Sequence, residues 1–336
     1  MQTILLAALC AFAIVLVLGP FTIPALRRLK FGQIERELGP ESHKAKQGTP
    51  TMGGLMILFA MLTTSLLFGL EGLEFLLPSL LVVTAFSVVG FLDDFLKVKR
   101  KHNLGLRAYQ KIIAQFGIAL VVAIWAYRSP LLGPVLYLPI SGGEWNIGIY
   151  YIPLVMFTVI SEVNAFNLTD GVDGLASGVM LIYSIAMAII FAILAAAAAL
   201  FGNTLLNVNY GAMGVFAAAT AGGCLGFLCY NSYPARVIMG DTGSLALGGA
   251  VSMLAICSRS LLLLPIMGIC FVGSALSCVL QVGYFKLTHG KRIFKMAPLH
   301  HHFELSGYPE AKIVSMYMLV TTITCAVCLL SYVVIR

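Results

Sequence analysis

The chain has 336 residues but only five aspartates, Asp93, Asp94, Asp170, Asp173 and Asp241, and each sits in a setting that could support chemistry. Asp93 and Asp94 are adjacent in Gly90-Phe-Leu-Asp-Asp-Phe95. On a helix, neighbours point about 100° apart, so one can ligate a metal while the other works on an adjacent group. The alternative is that both acids balance Lys97, Lys99, Arg100 and Lys101. Asn167, Asp170 and Asp173 recur every three residues, a spacing that predicts one stripe on a helical turn. Carboxylate and amide oxygens of this kind suit a hard cation or the hydroxyls of a sugar, although a turn-and-cap role is also open. Asp241 lies in Met239-Gly-Asp-Thr-Gly-Ser244, where two glycines and two hydroxyls could bring a phosphate onto the amides of a helix start. It could equally be the N-cap of that helix.

Two basic segments complete the set. Lys291, Arg292 and Lys295 precede His300, His301 and His302. Consecutive histidines converge poorly on one ion, so donated hydrogen bonds to phosphate are the favoured reading. Lys44, Lys46, Thr49 and Thr51 lie in a glycine-bearing stretch, His43 to Gly54. No Gly-x4-Gly-Lys-Ser/Thr pattern is present, which argues against a nucleotide-driven pump.

These groups must be positioned by elements of unusual composition. Apolar residues make up 60% of the chain, charged residues 10%, and the mean hydropathy is +0.95. A soluble domain is roughly 25% charged. The composition therefore excludes a water-soluble fold and predicts an all-α integral membrane protein. Apolar stretches long enough for transmembrane helices lie near 3–24, 52–70, 75–92, 110–127, 150–166, 175–201, 211–230, 243–258, 261–287 and 311–335. That predicts ten transmembrane helices in a single domain over 1–336, with 261–287 long enough to tilt, bend or overrun the bilayer. A β-barrel is excluded because the stretches do not alternate.

With ten spans, 18 of the 21 Lys and Arg residues, all five aspartates and all six histidines fall on one face. The positive-inside rule makes that face cytoplasmic and puts both termini outside. The first span has no basic residue before it and Arg27, Arg28 and Lys30 after it, so it is expected to be retained. On the outer face, 134–151 suggests a small β-hairpin or a plain ordered connector. The eight cysteines lie in or at the edge of apolar spans, where they pack as small hydrophobes; Cys325 and Cys328 are included despite their CxxC spacing.

Acids at the lipid boundary, ringed by Lys, Arg and His, are equipment for Mg²⁺-assisted phosphoryl transfer to or from a lipid phosphate. The motifs carry this further. Gly48-Thr-Pro-Thr-Met-Gly-Gly54, the Asp93-Asp94 pair, Asn167 to Leu175, Met239 to Ser244 and Ala297-Pro-Leu-His-His-His-Phe-Glu304 stand in the order found in bacterial phospho-N-acetylmuramoyl-pentapeptide transferases. The chain resembles that family, within the polyprenyl-phosphate N-acetylhexosamine-1-phosphate transferase superfamily, over nearly its whole length.

The resemblance implies transfer of phospho-MurNAc-pentapeptide from UDP-MurNAc-pentapeptide to undecaprenyl phosphate, giving lipid I and UMP. It implies Mg²⁺ as cofactor, a homodimer in the bacterial cytoplasmic membrane, and inhibition by uridine-type nucleoside antibiotics. A nucleic-acid partner is not expected. By motif, Asp241 is the expected principal Mg²⁺ ligand, Asp93 the base for the lipid phosphate, and Asp94 a group close to the metal. Asn167, Asp170 and Asp173 are expected to line the nucleotide-sugar site. His300, His301 and His302 would serve the phosphates or the sugar-peptide, with Lys44, Lys46 and Thr49 as further substrate-binding candidates. Ile238 stands where the family pattern has phenylalanine before Met-Gly-Asp, so a stacking contact to uracil would have to come from elsewhere. Competing readings are a transferase using UDP-GlcNAc and, in a different class, a transporter or flippase of the lipid product. Transporters place ionisable groups near the midplane, whereas these lie at the ends of spans.

Overall fold

The computed structural model describes residues 1–29, 48–100, 105–138 and 143–334. Among them, nine helices are long and apolar enough to cross a bilayer, so the chain is a multi-pass membrane protein. The helices are α1 Gln2–Arg28, α2 Gly54–Phe68, α3 Leu73–Arg100, α4 Ala108–Arg128, α5 Tyr151–Thr169, α6 Leu175–Leu200, α7 Thr204–Asn231 and α8 Gly240–Cys257. They are followed by α9 Leu264–Met267, α10 Ile269–Leu287, α11 Leu299–Glu304 and α12 Glu310–Val334.

Three expected spans come out differently. The second is shorter, because α2 has 15 residues and gives way at Gly69 to a 3-10 turn over Leu70–Gly72. At about 1.5 Å per residue it is shorter than the roughly 30 Å hydrocarbon core. The third runs on to Arg100, since no Gly or Pro interrupts Phe95–Arg100. Asp93 and Asp94 therefore lie inside the helix rather than at its end. The ninth is broken: α9 stops at Gly268 before α10 begins.

At the centre stands α8, with every residue from Thr242 to Cys257 buried. It packs against α3 and α5, while α7 packs against α6, α1 and α2. Within a membrane, small residues let helix backbones approach closely, and this chain places them at the contacts. A Cβ on Gly90 of α3 would collide with the Asp241 carbonyl oxygen of α8, and one on Gly222 of α7 with that of Ala8 in α1. Ile238 donates to Pro50 O (2.8 Å) and Gly54 to Met239 O (3.0 Å), tying the segment before α2 to the start of α8.

The two ends of the bundle are unlike. One carries a two-stranded antiparallel hairpin, β1 Val135–Tyr137 and β2 Glu144–Asn146, within the expected 134–151 segment. Arg259 pins it, its guanidinium bonding Glu144 Oε1 and Leu131 O (both 2.8 Å) while its carbonyl accepts from Tyr137 N. Tyr137 Oη in turn donates to Ser331 O near the end of α12 (3.1 Å), so the C-terminal helix finishes at the hairpin end. The other end gathers the aspartates. The cysteines are all unpaired, Cys325 and Cys328 buried among them.

Gly90→Ala should therefore destabilise the protein by about 1–3 kcal/mol or more through overpacking, read as a lower melting temperature in detergent. Gly117→Ala is the control: nothing lies within 4 Å of the added Cβ, and alanine favours the helix by up to about 1 kcal/mol, so melting should hold or rise slightly.

Candidate active site

The acid-rich end is assembled from the last turns of α3 and α5 and the first turns of α4 and α8. Asp93, Asp94 and Asp241 each offer a carboxylate oxygen, and these atoms lie within 4.8 Å of one another. The 100° offset between Asp93 and Asp94 does not separate them: Asp94 bonds the first turn of α8, and Asp93 reaches Asp241 of the same turn through two lysines. Asp94 accepts from Thr242 N (2.9 Å), Thr242 Oγ1 (2.7 Å) and Asp241 N (3.2 Å). It thus caps α8 from another helix, satisfying amides that have no partner within α8 itself and putting a negative charge at the positive end of the helix dipole. Both alternatives weighed for Asp241 change here. The residue preceding the helix is Met239 rather than Asp241, and the amides of Asp241 and Thr242 are held by a carboxylate instead of being presented to a phosphate.

Asp93 is buried and accepts from Leu106 N (2.7 Å). Two lysines bridge it to Asp241. Lys97 Nζ lies 2.6 Å from Asp93 Oδ2 and 3.0 Å from Asp241 Oδ2, and Lys111 Nζ lies 3.0 and 2.6 Å from the same atoms. Asn167 completes the cluster, donating to Asp241 Oδ1 (2.9 Å) and Ser244 Oγ (2.7 Å).

The expected Asn167–Asp170–Asp173 stripe does not form. Helix α5 ends at Thr169 and Asp170 is its C-cap, so beyond that point the three-residue spacing no longer defines a face. Asp173 points elsewhere: its Oδ2 accepts from Ala235 N (3.0 Å), and its own amide donates to Glu310 Oε2 (3.4 Å). Gly174, at φ +78°, donates to Asn231 Oδ1 (3.1 Å), which also accepts from Ser177 Oγ (3.0 Å). This clamp fixes the 170–174 turn.

The histidines occupy α11. His300 and His301 are buried, and a Cβ on Gly171 would meet both rings. His301 Nδ1 pairs with Glu304 Oε2. His302 diverges from them, its Nδ1 accepting from Lys295 N (3.1 Å). Thr49 is half-buried in the segment leading to α2, Ile238 contributes its backbone to Pro50, and Lys44 and Lys46 lie outside the described residues. Sequence reasoning missed the bridging of Lys97 and Lys111 and the tie from Glu310. Lys97 had a signal, since it follows Asp93 by four residues on one helix; Lys111 and Glu310 had none.

The fold and site define a class: residues 76–259 match the family model for glycosyl transferase family 4. Residues 46–58 match the first signature of phospho-N-acetylmuramoyl-pentapeptide-transferases. The chain is 49% identical over 316 residues to the phospho-N-acetylmuramoyl-pentapeptide-transferase of Clostridioides difficile strain 630, covering 94% of each. It is 47% identical to that of Caldanaerobacter subterraneus (96% of each) and 42% identical to that of Clostridium novyi (98% of this chain, 97% of the relative). This chain belongs to the phospho-N-acetylmuramoyl-pentapeptide-transferase family, and is a membrane-embedded transferase.

Because Asp94 holds three donors at the start of α8, Asp94→Ala should cost about 3 kcal/mol or more, leaving buried amides unpaired. Thr242→Val, which removes only the hydroxyl bond, should cost about 1 kcal/mol. Thermal unfolding of the two purified variants in one detergent gives the ranking.

Proposed function

We propose that this enzyme transfers phospho-MurNAc-pentapeptide from UDP-MurNAc-pentapeptide to undecaprenyl phosphate, releasing UMP and forming lipid I, at the cytoplasmic face of a bacterial inner membrane. The observation that carries this reading is the cluster of Asp93, Asp94 and Asp241, bridged by Lys97 and Lys111, at the end of a helix bundle of this family. There a phosphate on a lipid tail arrives from the bilayer and a nucleotide sugar from the water. Counting the short α2 as a crossing gives ten spans with both termini outside, the arrangement that the distribution of basic residues favours.

In the overall transfer the sugar-bearing phosphorus exchanges one P–O bond for another. The new bond joins it to an oxygen of the lipid phosphate, and the bond to the UMP oxygen breaks. Asp93, buried beside two ammonium groups, takes the proton that the lipid phosphate gives up. Lys97 and Lys111 offset the negative charge brought by both substrates, and the turn carrying Asp170 and Asp173 joins His300 and His301 in holding the nucleotide sugar.

The donor set fits Mg²⁺: three carboxylates converge, with no Cys or His among them, and a hard cation prefers oxygen. Asp241 with Asp94 would hold it, and Asp93 lies within reach. When bound, the ion supplies charge neutralisation on the transferring phosphate oxygens. The family resemblance supports a homodimer and sensitivity to uridine-type nucleoside antibiotics.

Detergent-solubilised protein supplied with undecaprenyl phosphate should release UMP from UDP-MurNAc-pentapeptide. Turnover of UDP-GlcNAc alone would move the assignment to another branch, and no UMP release at all would favour a transporter. Asp241→Asn should lower turnover by at least about 1000-fold, since a charged group at the reacting centre is worth several kcal/mol, while the melting temperature is retained. Substantial Mg²⁺-dependent activity in that variant would refute the role given to Asp241.

A further inference from the structure

We propose that Lys97 competes with the divalent cation for the Asp93–Asp94–Asp241 oxygens, so that its ammonium must swing out before a cation is bound there. This rests on the metal-site reading above and concerns what the chain's own side chain does at that site.

The geometry singles out Lys97. Its Nζ lies 2.6 Å from Asp93 Oδ2, 3.0 Å from Asp241 Oδ2 and 3.9 Å from Asp94 Oδ1, so it touches all three acids. The three ligand atoms themselves lie within 4.8 Å of one another. A cation drawing one oxygen from each acid needs the place this ammonium holds, and two cations cannot share it without strong repulsion. Lys111 reaches only Asp93 and Asp241, from the first turn of α4.

Mobility and charge point the same way. The Lys97 side chain is 33% exposed against 21% for Lys111, and it sits in the last turn of α3. Its flexible four-carbon stem lets the head group move without a backbone change. Three carboxylates face two ammonium groups, leaving one negative charge uncompensated. A divalent ion with Lys111 alone brings three positive charges to the same three carboxylates. Exchanging Lys97 for the ion therefore completes the neutralisation rather than overshooting it. Asp93 and Asp94 remain paired throughout, because Leu106 N and the α8 amides hold them independently of either lysine.

Competition predicts that removing the competitor tightens binding. The test is Mn²⁺ titration, followed by electron paramagnetic resonance, of the full-length protein in detergent without substrates. Lys97→Gln should bind Mn²⁺ about tenfold more tightly than wild type, a coupling of ordinary size. Lys97→Met is the second variant if the first melts at a lower temperature. Lys99→Gln removes the same charge from the same last turn at an exposed position, and should leave affinity unchanged. Unchanged or weaker binding in both Lys97 variants overturns the proposal, as does equal tightening by Lys99→Gln. Asp241→Asn separates the two readings. Loss of Mn²⁺ binding in it keeps the metal site whatever the lysine does, whereas full binding in it overturns both.

Discussion

The contact between α3 and α8 is the constraint on which the rest of this site depends. Gly90 lets the two backbones meet at the Asp241 carbonyl. One turn further on, Asp94 can then reach the free amides of α8. A side chain at position 90 would move α8 outward and break that reach. The same approach delivers Asp241 to Asp93 and Asp94, so the helix cap and the acid cluster are products of one packing event. Asp94 consequently has a structural load that Asp241 does not share, and loss of either acid has a different physical meaning.

Three carboxylates so close together would repel strongly if uncompensated. Placing them at the bundle's end rather than its middle keeps the desolvation cost down and lets lysine stems reach in from the boundary. Lys97 comes from the helix of Asp93 and Asp94, and Lys111 from the next. The two ammonium groups leave one negative charge of the three carboxylates uncompensated. The opposite end needs none of this: there Arg259 and Glu144 form an ordinary ion pair that fastens a hairpin.

The regular three-residue spacing of Asn167, Asp170 and Asp173 is divided by the end of α5. Asn167, still helical, serves the acid cluster. Asp173, beyond the turn, is locked to Ala235 and Glu310 and faces the segment leading into α8. The turn is held by Asn231 at Gly174, and the histidines of α11 close against Gly171. A single short motif thus supplies two neighbouring regions of the site, and the break in the helix is what allows it.

Much of this was legible in the sequence. Continuous apolar stretches located most of the membrane-spanning helices, because a bilayer leaves backbone groups no partner outside helix or closed barrel. The scarcity of charge made Asp93, Asp94 and Asp241 stand out, whereas the glycines and hydroxyls around Asp241, read as room for a phosphate, serve helix packing and the Asp94 bonds instead. What periodicity could not supply was partners across distant elements. Gly171 and Gly174 marked where the backbone can leave the helix after α5, but nothing local says that Asp94 caps α8, that Lys111 reaches Asp241, or that Glu310 ties to the 170–174 turn. Helix period and hydropathy are properties of near neighbours along the chain. The convergence of residues more than a hundred positions apart is decided only by which helices pack, and small residues such as Gly90 set how closely.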